Sequence, residues 1–270
     1  MGLLPATIKL LAELHRDTGL HGPVVTLGNQ DVYASLPDLR ALFREIDTPW
    51  REPTAIASHT SELFHGANPE RSRDYVHART LFSMFGIEDY ADIDAYTIDH
   101  PTVIHDLNEP VPEELRGRFG LVIDGGTIEH IFDIRSCFTN VAAMTKVGGR
   151  VIHWNSSSNM IDHGFWAINP SAYFDYYSVN GFDDLSATIF EWDTRDPWRP
   201  CAAFRYDYGM TINGLCDSER ATMVWFTARK AASVPVTIPT QGLYRADRAV
   251  PFSGGSWAAP GTPPPRRRLL

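Results

Sequence analysis

The chain reads as an α/β protein on a doubly wound, mainly parallel sheet, and three observations carry that reading. The first is the stretch Phe119 to Asn155, FGLVIDGGTIEHIFDIRSCFTNVAAMTKVGGRVIHWN. In it, the apolar run Leu121-Val122-Ile123, rich in β-branched residues, stops at Asp124-Gly125-Gly126, the pattern of a buried strand. A helix follows, with Asp133 as its N-cap and Ile134, Cys137, Phe138, Val141 and Ala142 on one face. Lys146 is placed in its last turn and Gly148-Gly149 at its stop. A second strand, Val151 to Trp154, completes a βαβ unit, whose ligand edge lies at the carboxyl ends of its strands. The second observation is that Val24–Leu27 and Thr102–Asn108 are further strand runs, each ending in a turn residue or an acid. The third is size: 270 residues, 43% hydrophobic, suffice for one large α/β domain with elaborations.

The remaining elements follow in order. Residues 5–17 form an amphipathic helix through Ile8, Leu11, Ala12 and His15; it is too short and too charged for a signal peptide or a membrane span. After a turn at His21-Gly22-Pro23, the strand Val24–Leu27 leads into Gly28-Asn29-Gln30-Asp31. Residues 37–46 are a short helix with Pro37 near its start. Residues 47–70, with scattered prolines, aromatics and histidines, read as a lid-like insertion. A helix is expected over 71–86 through Ala78, Leu81, Phe82 and Phe85, then a strand from Tyr90 that ends at Asp94, with Asp99 as fallback. Residues 110–115 are a short turn or helix. Beyond Trp154 a polar and aromatic loop, Asn155 to Trp166, leaves the ligand edge. Asn169 and Pro170 start a helix that Gly181 ends. Residues 182–192 and 221–229 are the last two strands, an antiparallel hairpin. The 193–220 connection completes a pocket or an oligomer contact. The domain is set at 1–232, followed by an extension, 233–270, that is Pro- and Gly-rich and disordered from 251.

These residues carry a family resemblance. The run FGLVIDGGTIEHIFD…TKVGGRVIH resembles the fourth strand, following helix and fifth strand of class I S-adenosylmethionine-dependent methyltransferases. The resemblance implies a seven-stranded Rossmann-like methyltransferase sheet and S-adenosylmethionine as cofactor. By position in that pattern, Gly28, Asn29 and Gln30 fall near the methionyl end of the cofactor. Asp94 falls on the ribose hydroxyls, Asp106 and Leu107 at adenine, and Asp124-Gly125 beside the sulfonium. The first loop departs from the family: one glycine, Gly28, stands where an acid-x-Gly-x-Gly pattern is usual. That departure keeps a second reading open, a non-catalytic protein that uses the fold for binding or assembly.

Methyl transfer to a hydroxyl needs a base, and histidine suits neutral pH. His163, in the loop beside Phe165 and Trp166, is ranked first and His130, next to Glu129, second. The acceptor implied is a small polar molecule, a sugar or natural product, with nitrogen methylation as the alternative. No metal is expected. Asp124, His153, Asn155 and His163 were weighed as oxygen and nitrogen ligands, but no tight spacing of the HExxH kind occurs. A net charge of −9 argues against nucleic acid as a partner. Three cysteines at 137, 201 and 216, without a CxxC pair, suit a reducing, cytoplasmic setting. A homo-oligomer is compatible with all of this.

Overall fold

The computed structural model describes residues 2–58, 74–193, 196–208 and 218–244. Its centre is a twisted sheet whose parallel part comprises β2 (Val24–Leu27), β5 (Tyr90–Asp94), β6 (Val103–Ile104), β7 (Phe119–Asp124) and β8 (Thr145–Ser158). Three longer strands extend it: β9 (Phe182–Asp193), β10 (Asp196–Tyr206) and β11 (Ala221–Lys230). The spatial order is β10-β9-β11-β8-β7-β2-β5-β6. From β2 the chain moves outward through β5 and β6, then returns to the other flank of β2 with β7 and β8. The strand order therefore reverses between β2 and β7, where open α/β sheets form their ligand crevice. β11 runs antiparallel between β8 and β9, which is the hairpin expected from the sequence.

Period-two alternation divides the sheet between two apolar layers. Leu121 and Ile123 of β7, with Ile152 and Trp154 of β8, face one core; it also holds helix α1 (Pro5–Thr18), α2 (Leu36–Glu45) and α3 (Ala78–Met84). Val122 and Val151 face the other, with α4 (Ile134–Met144) and α5 (Pro170–Val179). Helices on both faces explain why these strands read as continuous apolar runs. Asp133 caps α4 as expected, its carboxylate accepting from the Ser136 amide at 3.0 Å.

Several elements differ from the sequence reading. Lys146 and Gly148-Gly149 belong to β8, not to the end of α4. Lys146 donates instead to the Gly22 carbonyl at 3.0 Å, and Gly148, at φ +84, sits in a break of register against β7. The cation at the end of α4 is Lys230 of β11, whose ammonium bonds the Ala142 and Thr145 carbonyls at 2.7 and 2.8 Å. The helix expected over 71–86 begins only at Ala78. Tyr75–His77 forms a strand, β4, in a second small sheet with β1 (Gly2–Leu3) and β3 (Asp31–Ser35). The main sheet has eight strands, because β10 adds an edge antiparallel to β9 within the 193–220 connection. Prolines 197 and 200 obscured it; an edge strand tolerates the lost donors, and the register shifts beside Pro200. Of the strand run expected over 102–108, only the two residues of β6 form a strand.

Of the lid-like insertion, 47–58 is fastened to the helical layer: Thr48 Oγ1 donates to the Ala12 carbonyl at 3.1 Å and the Arg51 amide to the Met84 carbonyl at 2.9 Å. Residues 59–70 lie outside the described part, as do the Pro/Gly-rich tail from 251 and Cys216. The start of the C-terminal extension runs along α5, where the Asn180 side chain exchanges bonds with Thr237 at 2.9 and 2.7 Å. Among the described residues no helix is long and apolar enough to cross a membrane.

Phe138 joins α4 to the aromatic layer of α5, with its ring 5.0 Å from Tyr176, 5.5 Å from Tyr173 and 5.8 Å from His153. Phe138→Ala should lower unfolding free energy by about 3–5 kcal/mol. Urea denaturation measures it, and a loss under about 1 kcal/mol would contradict this packing.

Candidate active site

The carboxyl ends of β5, β2 and β7 are level: Leu27 pairs in register with Ile93 on one side and Asp124 on the other. At this edge the backbone of Gly28 turns with φ +70, which glycine adopts without steric strain, and its N–H donates to the Ile93 carbonyl at 2.8 Å. A β-carbon on Gly28 would lie 3.3 Å from Thr127 Oγ1, 3.7 Å from Asp94 Oδ2 and 3.9 Å from Gln30 Nε2. Gln30 from the loop after β2, the acid ending β5 and the turn after β7 therefore converge on one glycine. Thr127 Oγ1 and Gln30 Nε2 both donate to the Leu27 carbonyl, at 2.6 and 2.7 Å. Gln30 is buried, and its Oε1 has no hydrogen-bond partner among the described residues. Asn29, half-buried, stands between Gly28 and Gln30. Gly125 lies against the Gln30 amide, which any side chain at 125 would strike.

The other expected cofactor residues divide. Asp94 stands at its strand end with Oδ1 accepting from the Tyr96 amide at 3.0 Å. Asp106 lies past the end of β6, exposed, with Oδ1 accepting from both the amide and the side chain of Asn108 at 2.9 and 2.8 Å. Those bonds hold its pKa below the ordinary carboxylate value. Leu107 is core, 4% exposed, and its carbonyl accepts from Asn140 at 3.0 Å. Only its backbone N–H is left to meet a ligand.

The Asp124 carboxylate is fully buried, with Oδ2 2.8 Å from His153 Nδ1 and Oδ1 accepting from the Thr127 and Ile128 amides at 2.9 and 3.2 Å. It holds the β7 turn from the inside. His153 continues inward, its Nε2 2.6 Å from the Tyr177 hydroxyl of α5.

One turn further on, Glu129 is buried as well. Its Oε2 accepts from Asn155 Nδ2 at 2.6 Å, and the same Asn155 accepts from the Tyr173 hydroxyl at 2.6 Å. Glu129 Oε1 receives the Ser156 amide at 3.4 Å and faces His163 Nε2 at 3.8 Å. The loop bearing His163 is fitted onto this turn. Gly164 approaches the Glu129 backbone so closely that a β-carbon would come within 2.7 Å of its carbonyl oxygen. The Trp166 amide bonds that same carbonyl at 3.2 Å, and its indole N–H the Ile131 carbonyl at 3.0 Å. His163 and His130 thus meet, their ring centroids 5.1 Å apart. Phe165 and Trp166 gather with Phe132 at 5.5 and 6.2 Å as an exposed aromatic rim.

Both expected catalytic histidines are brought together. The residue the sequence reading passed over is Glu129, although it directly precedes His130. Nothing local showed that this acid would be buried.

Burial, together with the nearby Asp124 charge, pushes the Glu129 pKa up to about 7, against the pull of its Asn155 and Ser156 bonds. Burial lowers the pKa of both His130 and His163.

No protein-family profile matches the sequence, and no curated protein matches it. Solved structures do resemble the fold. An S-adenosylmethionine-dependent methyltransferase of Thermotoga maritima is 12% identical, with a TM-score of 0.37 over 83% of this chain and 91% of that one. Phosphoethanolamine N-methyltransferase 2 of Haemonchus contortus, in complex with S-adenosylmethionine, is 11% identical, with a TM-score of 0.40 over 83% of this chain and 52% of that one. The trans-methyltransferase CalH, in complex with S-adenosylhomocysteine, is 12% identical, with a TM-score of 0.39 over 83% and 55%. The chain spans about half the length of the last two.

The raised Glu129 pKa has a signed consequence. Between the ordinary value of 4.5 and about 7 the folded state holds a proton here that the unfolded state has lost. The residue's contribution to stability therefore declines as pH rises through that window. Glu129→Gln removes this linkage, so the difference in Tm between variant and wild type should grow in the variant's favour from pH 4.5 to 7. A difference that stays constant across those pH values would contradict a protonated, buried Glu129.

Proposed function

We propose that the chain is an S-adenosylmethionine-dependent methyltransferase that methylates a hydroxyl of a small polar molecule, a sugar or natural product, in a cytoplasmic setting. The observation that carries this reading is the convergence of Gly28, Gln30, Thr127 and Asp94 at the reversal point of the sheet, on the edge where the Glu129–His163 pair also lies. The residues present fit the cofactor. Gly28, without a side chain, keeps the Asp94 carboxylate and Thr127 hydroxyl close to its backbone, Asp94 offers carboxylate oxygens suited to a vicinal diol, and the buried Gln30 Oε1 is an acceptor that lacks a donor. When bound, the cofactor supplies a methyl group on a positively charged sulfur, displaced with its bonding electrons left on sulfur.

The chain's own residues do the rest. The His163–Glu129 pair handles the proton of the acceptor hydroxyl, and the lowered His163 pKa keeps the ring neutral and able to accept it near pH 7. Phe132, Phe165 and Trp166 supply an apolar wall beside these polar groups, a mixture that suits a small ligand with both ring faces and hydroxyls.

An acceptor found by mass-spectrometric screening for a gained methyl makes the reading quantitative. With it, His163→Ala should reduce turnover by about 10²-fold or more without weakening S-adenosylhomocysteine binding. Unchanged turnover would remove His163 from the reaction. Absence of any methylated product, with the homocysteine analogue still bound, would favour a non-catalytic binding protein.

A further inference from the structure

We infer that Glu129, His130 and His163 form a binding site for one divalent transition-metal cation. Their ligand atoms, one carboxylate oxygen and two imidazole nitrogens, lie within 4.8 Å of one another. Two ligands on one tetrahedral ion, each about 2.0–2.2 Å from it, stand about 3.4 Å apart. Glu129 Oε1 and His163 Nε2, at 3.8 Å, are within a few tenths of an ångström of that separation, and the widest separation in the cluster has to close by up to about 1.4 Å. The two histidine rings are partly exposed and pack against each other, with centroids 5.1 Å apart.

The carboxylate is prepared for this role. Asn155 occupies Oε2 at 2.6 Å and is itself held by Tyr173, so Oε1, which also receives the Ser156 amide at 3.4 Å, is the oxygen that faces His163, at 3.8 Å. Ligands fixed by a supporting hydrogen bond are characteristic of metal sites. No lysine or arginine pairs with Glu129 among the described residues, so a cation would supply the positive charge this buried carboxylate lacks. The loop's approach at Gly164 and its bond to the Glu129 carbonyl hold His163 over the turn that carries the other two ligands.

Two imidazoles and one carboxylate select manganese, iron, cobalt, nickel or zinc over magnesium and calcium, which prefer all-oxygen sites. Three protein ligands leave positions for water or for an oxygen of a bound molecule. This deepens the methyltransferase reading, because an acceptor bearing two adjacent oxygens would chelate the ion at the same edge. Cation binding itself does not depend on that reading. A bound ion would occupy the His163 nitrogen, so the proton-accepting role proposed above for His163 belongs to the metal-free protein.

The test uses tag-free protein freed of metal by chelator and titrated calorimetrically with Mn²⁺ and with Zn²⁺, with S-adenosylhomocysteine titrated separately. The expected result is a single equivalent bound, weakened roughly 100-fold or more in both His130→Ala and His163→Ala, with far-ultraviolet circular dichroism unchanged. No binding at about 1 mM cation, or binding that survives in either variant, overturns the site. If the cation binds and the homocysteine analogue does not, the methyltransferase reading fails and the metal site stands. The reverse outcome removes the site alone.

Discussion

Two buried carboxylates hold the ligand edge in place. Asp124 and Glu129 are both fully buried within a six-residue span, and each is tied through a β8 side chain to a tyrosine of α5. Asp124 reaches Tyr177 through His153, and Glu129 reaches Tyr173 through Asn155. Residues 153 and 155 share a face of β8, and 173 and 177 share a face of α5. The two relays therefore run side by side. They fix the turn after β7 against the helix that follows the acceptor loop. Removing one partner would leave a buried polar group without its bond, a loss larger than the bond's net contribution.

That arrangement accounts for what surrounds it. With the β7 turn held from below, Thr127 can reach the Leu27 carbonyl and close the space around Gly28. The 159–166 loop can then settle on the Glu129 backbone, bringing His163 to His130. Coupling between the Gly28–Asp94 corner and the histidine corner passes through one short turn, Thr127 to His130. A ligand at either corner meets the same rigid piece of backbone.

Much of this was legible in the sequence, for local reasons. The strand runs at 24, 103, 121 and 151 announced themselves by β-branched residues, while the poorly defined run at 90 was placed by its register with the next motif. Asp133 and Asn169 marked helix starts as short polar residues before an apolar face. The misreadings arose where a distant segment overrode a local signal. Lys146 looked like a helix-ending cation, but the ladder to β7 claimed its backbone and Lys230, far along the chain, took the capping role. Asp124 was legible as a strand-ending acid and Glu129 only as the neighbour of His130. Their burial depends on His153, Asn155, Tyr173 and Tyr177, which lie 24 to 53 residues later. The small sheet was hidden because its first strand is two residues long and its last sat inside an expected helix.

The central claim is that the edge at Gly28 and Asp94 binds a nucleoside bearing a methionyl group. Calorimetric titration of S-adenosylhomocysteine into the wild type and Asp94→Ala addresses it directly. Binding in the micromolar range, about −8 kcal/mol, is expected for the wild type and at least a tenfold weaker constant for the variant. Wild-type protein that gives no heat of binding at about 1 mM ligand would contradict the account.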